Sequence, residues 1–394
     1  MSPMKVAIVA EFYPRAYDPV LGVWAHRQAV AARDVGADVR VLVLHRPIPP
    51  RATRGGDIAK VAHRMTSQPR RVTLDGIEVE YVSFLSPPRS RSYGSWGAWA
   101  APTLAVSLRR LRRRFPYDLV HAHNAVPAAD AVLRARIPQP LVVSVHGGDV
   151  YFTAQRSKPG RRAVERAFTR ARLVVANSEG IEQAARGLGA RATRVVRLGA
   201  DVPPDGHGSR RDHSLVTVGH LVPRKRHGDV VRALWLLRER HPQLRYVVIG
   251  DGPEREPLAR LAAELGVADR VELAGQLEHE AALERARSCS VFVMPSVDEA
   301  FGVAYVEAMA AGLPAIGTIG EPGPQEIARA GEGIRLVPPA DVEALARELD
   351  RLLAEPNWLA DLGAKARATV ESAFTWQRCG EATVAAYEDA LRAS

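Results

Sequence analysis

Met294–Gly320 reads MPSVDEAFGVAYVEAMAAGLPAIGTIG, and its pattern decides the architecture. Just before and into it, Ser290 to Met294 is a short apolar run fit for a strand buried on both faces. Towards its end, Pro314 to Thr318 reads as the next strand, entered past a helix stop at Gly312 and a proline. Between them Gly302 to Ala311 reads as a helix, which gives a strand–loop–helix–strand unit. In open α/β sheets the ligand crevice lies at the carboxyl ends of the strands. Asp298, Glu299, Ala300, Phe301 and Gly302 fall there.

The first amides of such a helix have no internal partner and carry the positive end of its dipole. Gly302 has no Cβ, so a phosphate or sugar oxygen can come close to the backbone. Glu299 lies in the loop, and Glu307 lies in the second turn, where side chains lean back towards the helix start. Two carboxylates flanking a bare anion site suit a ligand with hydroxyls at both ends and phosphate in the middle. A nucleotide-sugar has that layout.

Glu299 and Glu307, seven residues between them inside EAFGVAYVEAMAAGLPAI, resemble the signature of the retaining glycosyltransferases of family 4 (group 1). The resemblance implies an α/β chain of the GT-B fold, two Rossmann-like doubly wound parallel-sheet domains facing across a cleft. It also implies that Glu299 faces the donor sugar, that Glu307 binds the ribose hydroxyls, and that amides of Phe301, Gly302 and Val303 hold sugar and diphosphate. Family members are thought to react on one face, the leaving diphosphate taking the acceptor proton as the hydroxyl attacks. No Asp-x-Asp element is present, so neither metal nor other cofactor is expected.

A length of 394 residues suits two α/β halves. The expected division is 1–202, acceptor side; 203–213, a linker rich in Pro, Gly and charge; 214–374, donor side; and 375–394, a last helix crossing back to the first domain. Two cysteines, Cys289 and Cys379, are too few for a disulfide framework, and a cytoplasmic setting, at or near the inner face of the membrane, is expected. No signal peptide or membrane span is visible. The net charge of +10 fits a solvated arginine-rich surface or an anionic partner such as a membrane. No specific nucleic-acid binding is expected.

In the first half, Val6 to Ala10, Val39 to Leu44, Asp118 to His123, Leu141 to Val145 and Leu173 to Asn177 read as buried strands. Gly22 opens the helix Val23 to Val35, and the resemblance gives it a place near the donor phosphate. Ile77 to Phe84 alternates and suits a strand nearer a sheet edge. Pro47 to Arg71 is a basic, turn-rich loop. Trp96, Trp99, Leu104, Val106 and Leu108 lead into Arg109, Arg110, Arg112, Arg113 and Arg114, the make-up of an interfacial helix on an anionic membrane. Cations at a helix C-terminus explain the arginines equally well.

His121, His123, His146 and Asp149 raise a metal-dependent hydrolase as an alternative. By resemblance, HAHNAVPAADAVL and SVHGGDV instead match the acceptor half of sugar transferases. His146 then lies beside the reacting sugar, with His123 and Asp149 on the acceptor side.

In the second half, Gly219-His220-Leu221-Val222-Pro223-Arg224-Lys225 resembles the family's Gly-Arg-Leu…Lys segment, which grips the diphosphate. Lys225 matches, whereas His220 stands where an arginine is expected, and imidazole offers no bidentate fork. Arg224 or Arg226 could compensate. Gly250, after the strand Tyr246 to Ile249, either lets the donor approach or merely makes the turn, and the resemblance implies that Leu277, after Arg270 to Ala274, lies against the nucleobase. Glu299, His146 and Lys225 are the expected catalytic residues. The donor is expected to be a UDP- or GDP-sugar, and the acceptor a hydroxyl of a glycan, a lipid-linked sugar or a small molecule. A nucleotide-sugar epimerase and a non-catalytic binding subunit are the other readings of the same shape.

Overall fold

The structure is a computed structural model that describes residues 3–47, 66–204 and 213–392, with the side chains of residues 90 and 91 left aside. Most of the basic loop expected over Pro47 to Arg71, and residues 205–212 of the expected linker, lie outside the described residues. The chain divides into two compact units, one of Met1–Leu198 with Trp376–Ser394 and one of Gly199–Thr375. The second unit begins before residue 202 because the Ala200 amide donates to the Phe374 carbonyl at 2.9 Å and so binds both of its chain ends together.

The first unit is built on eight strands among the described residues: β1 (Lys5–Ala10), β2 (Asp38–His45), β3 (Arg71–Leu74), β4 (Ile77–Ser83), β5 (Leu119–His123), β6 (Leu141–Val145), β7 (Leu173–Ala176) and β8 (Thr193–Val195). Their order is β3-β4-β2-β1-β5-β6-β7-β8. Every pair is parallel except β3 with β4. Val6 to Ala10 are wholly buried, which a strand with helices over both faces requires. β4 lies one strand in from the edge, with β3 outside it. The chain runs from β1 out to β4 and then returns to place β5 on the other side of β1, so the switch point lies between β1 and β5.

The last helix, Trp376–Arg392, packs on Val23–Asp34 within this unit. Gln28 Nε2 donates to Thr383 Oγ1 at 3.0 Å, and the Tyr387 hydroxyl meets His121 Nδ1 at 2.8 Å. Those polar contacts tie a segment distant in sequence into the core of the first sheet.

The second unit has six parallel strands among the described residues: β9 (Ser214–Val218), β10 (Arg245–Ile249), β11 (Val271–Gly275), β12 (Val291–Val293), β13 (Ala315–Thr318) and β14 (Ile334–Val337). The order β11-β10-β9-β12-β13-β14 puts its switch point between β9 and β12. The helical stretch expected over Ala340 to Ala373 is two helices, Val342–Ala354 and Pro356–Ala373. Pro356 lacks the N–H that would continue the first and so begins the second.

The helix Trp96–Arg114 corrects the expected membrane face. Trp96 is 3% exposed, packs edge-on against Phe84 and Tyr93, and donates from Nε1 to Ser92 Oγ. Leu104 and Leu108 are wholly buried as well. Trp99 and Val106 point outward, at 50% and 53% exposure, with all five arginines exposed beyond them. Trp96 is therefore a core residue with no part in any surface contact. No described helix is long and apolar enough to cross a membrane.

Candidate active site

β9 and β12 are neighbours, so the chain leaving each of them comes to the same place. After β9, Pro223 opens a single 3-10 turn, Pro223–Lys225, that buries Lys225 to 8% exposure. After β12, the loop from Met294 to Gly302 leads into the helix Val303–Ala310. Lys225 Nζ stands 2.6 Å from Glu299 Oε2 and 3.2 Å from the Met294 sulfur. Ser296 Oγ donates to the same carboxylate oxygen at 3.0 Å, and Arg224 Nη1 lies 3.5 Å from it. The loop is braced from below by the Tyr305 hydroxyl on the Met294 carbonyl, and by Glu321 Oε2, which accepts from the Glu299 amide at 2.7 Å.

Gly302 caps the helix with φ +80°, and an added Cβ there would sit 2.5 Å from Tyr305 Cδ2. Only glycine holds that corner without strain. The amides of Val303 and Ala304 open the helix without a partner inside it, and that of Tyr305 donates to the Gly302 carbonyl at 2.9 Å.

Burial opposes the Glu299 charge, but Lys225, Arg224 and the Ser296 hydroxyl outweigh it and hold the carboxyl below its usual range. Burial lowers the Lys225 ammonium, and Glu299 offsets part of that. At 2.6 Å and with both side chains buried the charged pair is the stable form, since each charge is the other's main compensation.

The remaining donor-side residues divide. Glu307 is mostly buried, and its Oε1 lies 3.5 Å from His279 Nε2, at the start of the helix His279–Arg287. Leu277 is half-buried just past β11. His220 is exposed. The Gly219 amide donates to the Ile249 carbonyl at 2.9 Å and the Gly250 amide to the Gly275 carbonyl at 2.8 Å, so both are engaged within the chain. Gly22 caps its helix at φ +68°, where a Cβ would fall on the Phe12 carbonyl; the close approach that requires glycine is the chain's own.

In the first unit, His123 is buried with Nδ1 3.1 Å from His146 Nε2, the two rings lying 5° from parallel. The Trp24 ring packs on His146 at 4.0 Å. Burial pushes His123 down to about 3 and His146 well below the usual imidazole range, so both are neutral near pH 7. One ring must donate to the other, which leaves one free N–H and one free lone pair on the pair. Those outer atoms, His123 Nε2 and His146 Nδ1, are buried and have no partner among the described residues.

Asp149 accepts from the amides of Ala125 and Val126 at 2.8 and 3.2 Å and from Asn124 Nδ2 at 3.3 Å. Its oxygens hold the turn after β5. Burial raises its carboxyl to about 6 against those bonds. His121 has both ring nitrogens engaged, by Tyr387 and by Ser144 Oγ at 2.7 Å. His121 therefore has no ring nitrogen to give a metal, and no group of three His, Cys, Asp or Glu that could hold one assembles among the described residues.

Sequence reasoning missed Ser296 and Glu321 on the donor side. In the first unit it missed Glu11, whose carboxylate takes Arg89 Nη1 at 3.0 Å and the Tyr93 hydroxyl at 2.6 Å. Glu11 had one visible signal, a charged residue directly after a fully buried strand.

Residues 207–369 match the family model for glycosyl transferases group 1, and residues 21–203 match that for glycosyltransferase family 4. A D-inositol 3-phosphate glycosyltransferase of Streptomyces bingchenggensis (strain BCW-1) is 30% identical over 76% of this chain and 70% of its own. The chain belongs to glycosyltransferase family 4, group 1. The putative teichuronic acid biosynthesis glycosyltransferase TuaC of Bacillus subtilis (strain 168) is 25% identical to this family 4 chain over 94% of it and 95% of TuaC. Other relatives match in part only. An exopolysaccharide phosphotransferase of Streptomyces coelicolor and an MMP alpha-(1->4)-mannosyltransferase of Mycolicibacterium hassiacum are covered over 19% and 48% of their lengths. Among solved structures, sucrose-phosphate synthase from Thermosynechococcus elongatus superposes with TM-score 0.79 at 21% identity, over 99% of this chain and 100% of the other. HepE of Anabaena, solved in complex with UDP and glucose, superposes with TM-score 0.72 at 21% identity over 98% and 99%. The fold is GT-B.

Proposed function

We propose that this family 4 glycosyltransferase moves a sugar from a nucleotide-sugar donor, a UDP- or GDP-sugar, to a hydroxyl of a glycan, glycolipid or small-molecule acceptor. The observation that carries the reading is the Lys225–Glu299 pair beside the free amides of the helix Val303–Ala310, at the β9/β12 switch point. The HepE structures with UDP and with UDP-glucose support a uridine donor, and the inositol phosphate and teichuronic acid relatives support a polar acceptor.

In the proposed same-face reaction the bond from the anomeric carbon to the diphosphate oxygen breaks. The bond to the acceptor oxygen forms on the same side, with retention, and the acceptor proton passes to the departing diphosphate. Helix amides and the nearby cations stabilise the charge that develops there, the largest catalytic contribution expected. Glu299, kept ionised by Lys225, accepts from a sugar hydroxyl and favours positive charge at the ring. Glu307 takes the ribose hydroxyls and Leu277 lies against the base. The neutral His123–His146 pair serves the acceptor side. The residues that carry these steps require no metal. Contact of the outward Trp99, Val106 and exposed arginine stripe with an anionic bilayer belongs to the same proposal.

A donor screen reading nucleoside diphosphate release, with and without extracted membrane lipid and with chelator, tests it. Acceptor-dependent release that survives chelator is the expected result. Conversion of donor with no acceptor present would make the protein an epimerase, and binding without release would make it a non-catalytic subunit.

A further inference from the structure

Three basic residues follow one another in the turn after β9, and the structure separates their tasks. Lys225 is buried, and its charge is met by Glu299 at 2.6 Å. Arg226 takes a left-handed backbone, φ +57°, and turns away to donate from Nε to Asp229 Oδ2 at 2.7 Å. Arg224 stays at the loop. Its carbonyl accepts from the Val297 amide at 2.9 Å, which pins its backbone to the segment carrying Glu299. Its guanidinium reaches only the long edge of contact, 3.5 Å from Glu299 Oε2 and 3.5 Å from the Asp298 carbonyl, and remains 32% exposed.

With Lys225 met by Glu299 at 2.6 Å and Glu321 engaged by the Glu299 amide, Arg224 is the cation at this corner held by no close contact, only by approaches of 3.5 Å, beside helix amides that also favour an anion. We infer that Arg224 grips the donor diphosphate, the task that the imidazole of His220, exposed at the start of the same segment, is unfit to perform. The inference rests on the donor reading above and names the cation that completes the phosphate site. A planar guanidinium offers paired N–H groups to two phosphate oxygens, a stronger arrangement than a distant approach to a carboxylate already neutralised. Neither the matching lysine nor the amides supply that fork.

Calorimetric titration of the full chain with UDP, GDP, UMP and GMP tests this directly. The wild type is expected to bind one of the diphosphates more tightly than its monophosphate. Arg224→Ala should weaken that diphosphate about tenfold, the loss of one charge-assisted contact, and narrow its lead over the monophosphate. Arg226→Ala, which removes a cation of the same turn outside the site, should stay within about twofold of wild type. The double variant Arg224→Ala/His220→Arg should regain most of the lost affinity, a recovery that a folding defect would not give.

Unchanged diphosphate affinity in Arg224→Ala, or an equal loss in Arg226→Ala, overturns the assignment and leaves the donor reading standing. A wild type that binds no nucleotide sinks the donor reading, and the inference goes with it.

Discussion

Lys225 Nζ and Glu299 Oε2 meet at 2.6 Å although 74 residues separate them in sequence, because β9 and β12 lie side by side. Both side chains are at least nine-tenths buried. Removing one leaves the other a buried charge without its main partner. Lys225→Ala or Glu299→Ala should therefore cost about 3–5 kcal/mol of stability as well as turnover. Lys225→Met/Glu299→Leu removes both charges and should recover most of that stability while staying inactive. Denaturant unfolding beside a turnover assay separates the two losses, and a double variant as unstable as either single one would show that the charges are not coupled.

The first unit should be labile to acid. His121, His123 and His146 all have imidazoles pushed below the ordinary value of 6.5 by burial, His123 to about 3. A group with a lowered folded value keeps its full contribution above the unfolded one and loses it as pH falls. Below pH 6.5 the unfolded chain binds protons that the folded one refuses, about 1.4 kcal/mol per pH unit for each histidine. Asp149, raised to about 6, acts the other way between about pH 4 and 6, but it is one group against three. Stability should fall steeply from pH 6.5 to 4, and His123→Gln should flatten the slope. A flat melting profile over that range would contradict the buried neutral histidines.

The same neutrality bears on the reaction. His123 and His146 hold one free N–H and one free lone pair between them, so in the proposed reaction His146 is a hydrogen-bonding group. Turnover should show no inflection from His146 between pH 6 and 8. His146→Ala should lower kcat more than KM for the donor, and His123→Ala should lower kcat through the loss of its partner's orientation. A pH profile that loses a limb in His146→Ala would instead make this residue a proton-transfer group.

The strands could be read from sequence because parallel strands covered on both faces are short, continuous and apolar. Val6 to Ala10 and Leu141 to Val145 show that pattern plainly. The places of Glu299 in the loop and Glu307 in the second turn were legible for a similar reason, since a glycine corner and one helix set their spacing, while their part in donor binding rests on the resemblance. Contacts across long sequence separations were not. Nothing near Asp149 announces that it accepts from amides 23 and 24 residues earlier, or near Arg224 that its carbonyl holds Val297. The two tryptophans were legible in principle. Trp96, Ala100, Leu104, Leu108 and Leu111 form one row at helical spacing and Trp99 lies off it, but grouping them by composition merged the rows.

Glu307 and His279 give a nucleoside test. A carboxylate that accepts from both ribose hydroxyls discriminates against a deoxyribose. The wild type should bind UDP or GDP about tenfold more tightly than the 2′-deoxy form, and Glu307→Ala should remove that ratio while leaving the diphosphate contribution. His279→Ala should reduce the ratio in part, as Glu307 loses the group 3.5 Å away. An undiminished ratio in Glu307→Ala would place the ribose elsewhere.

The split between the tryptophans predicts opposite phenotypes three residues apart. Trp96→Ala empties a core position at 3% exposure and should cost about 3–5 kcal/mol. Trp99→Ala, at 50% exposure, should change stability by no more than about 0.5 kcal/mol. If the outer stripe meets an anionic bilayer, Trp99→Ala and Arg109→Glu/Arg110→Glu/Arg113→Glu will each lower sedimentation with phosphatidylglycerol vesicles, the charge variant most at low salt. Neutral vesicles should not bring the protein down. Equal sedimentation of wild type and charge variant would leave these arginines as a solvated helix end, with the C-terminal dipole as sufficient reason for their place.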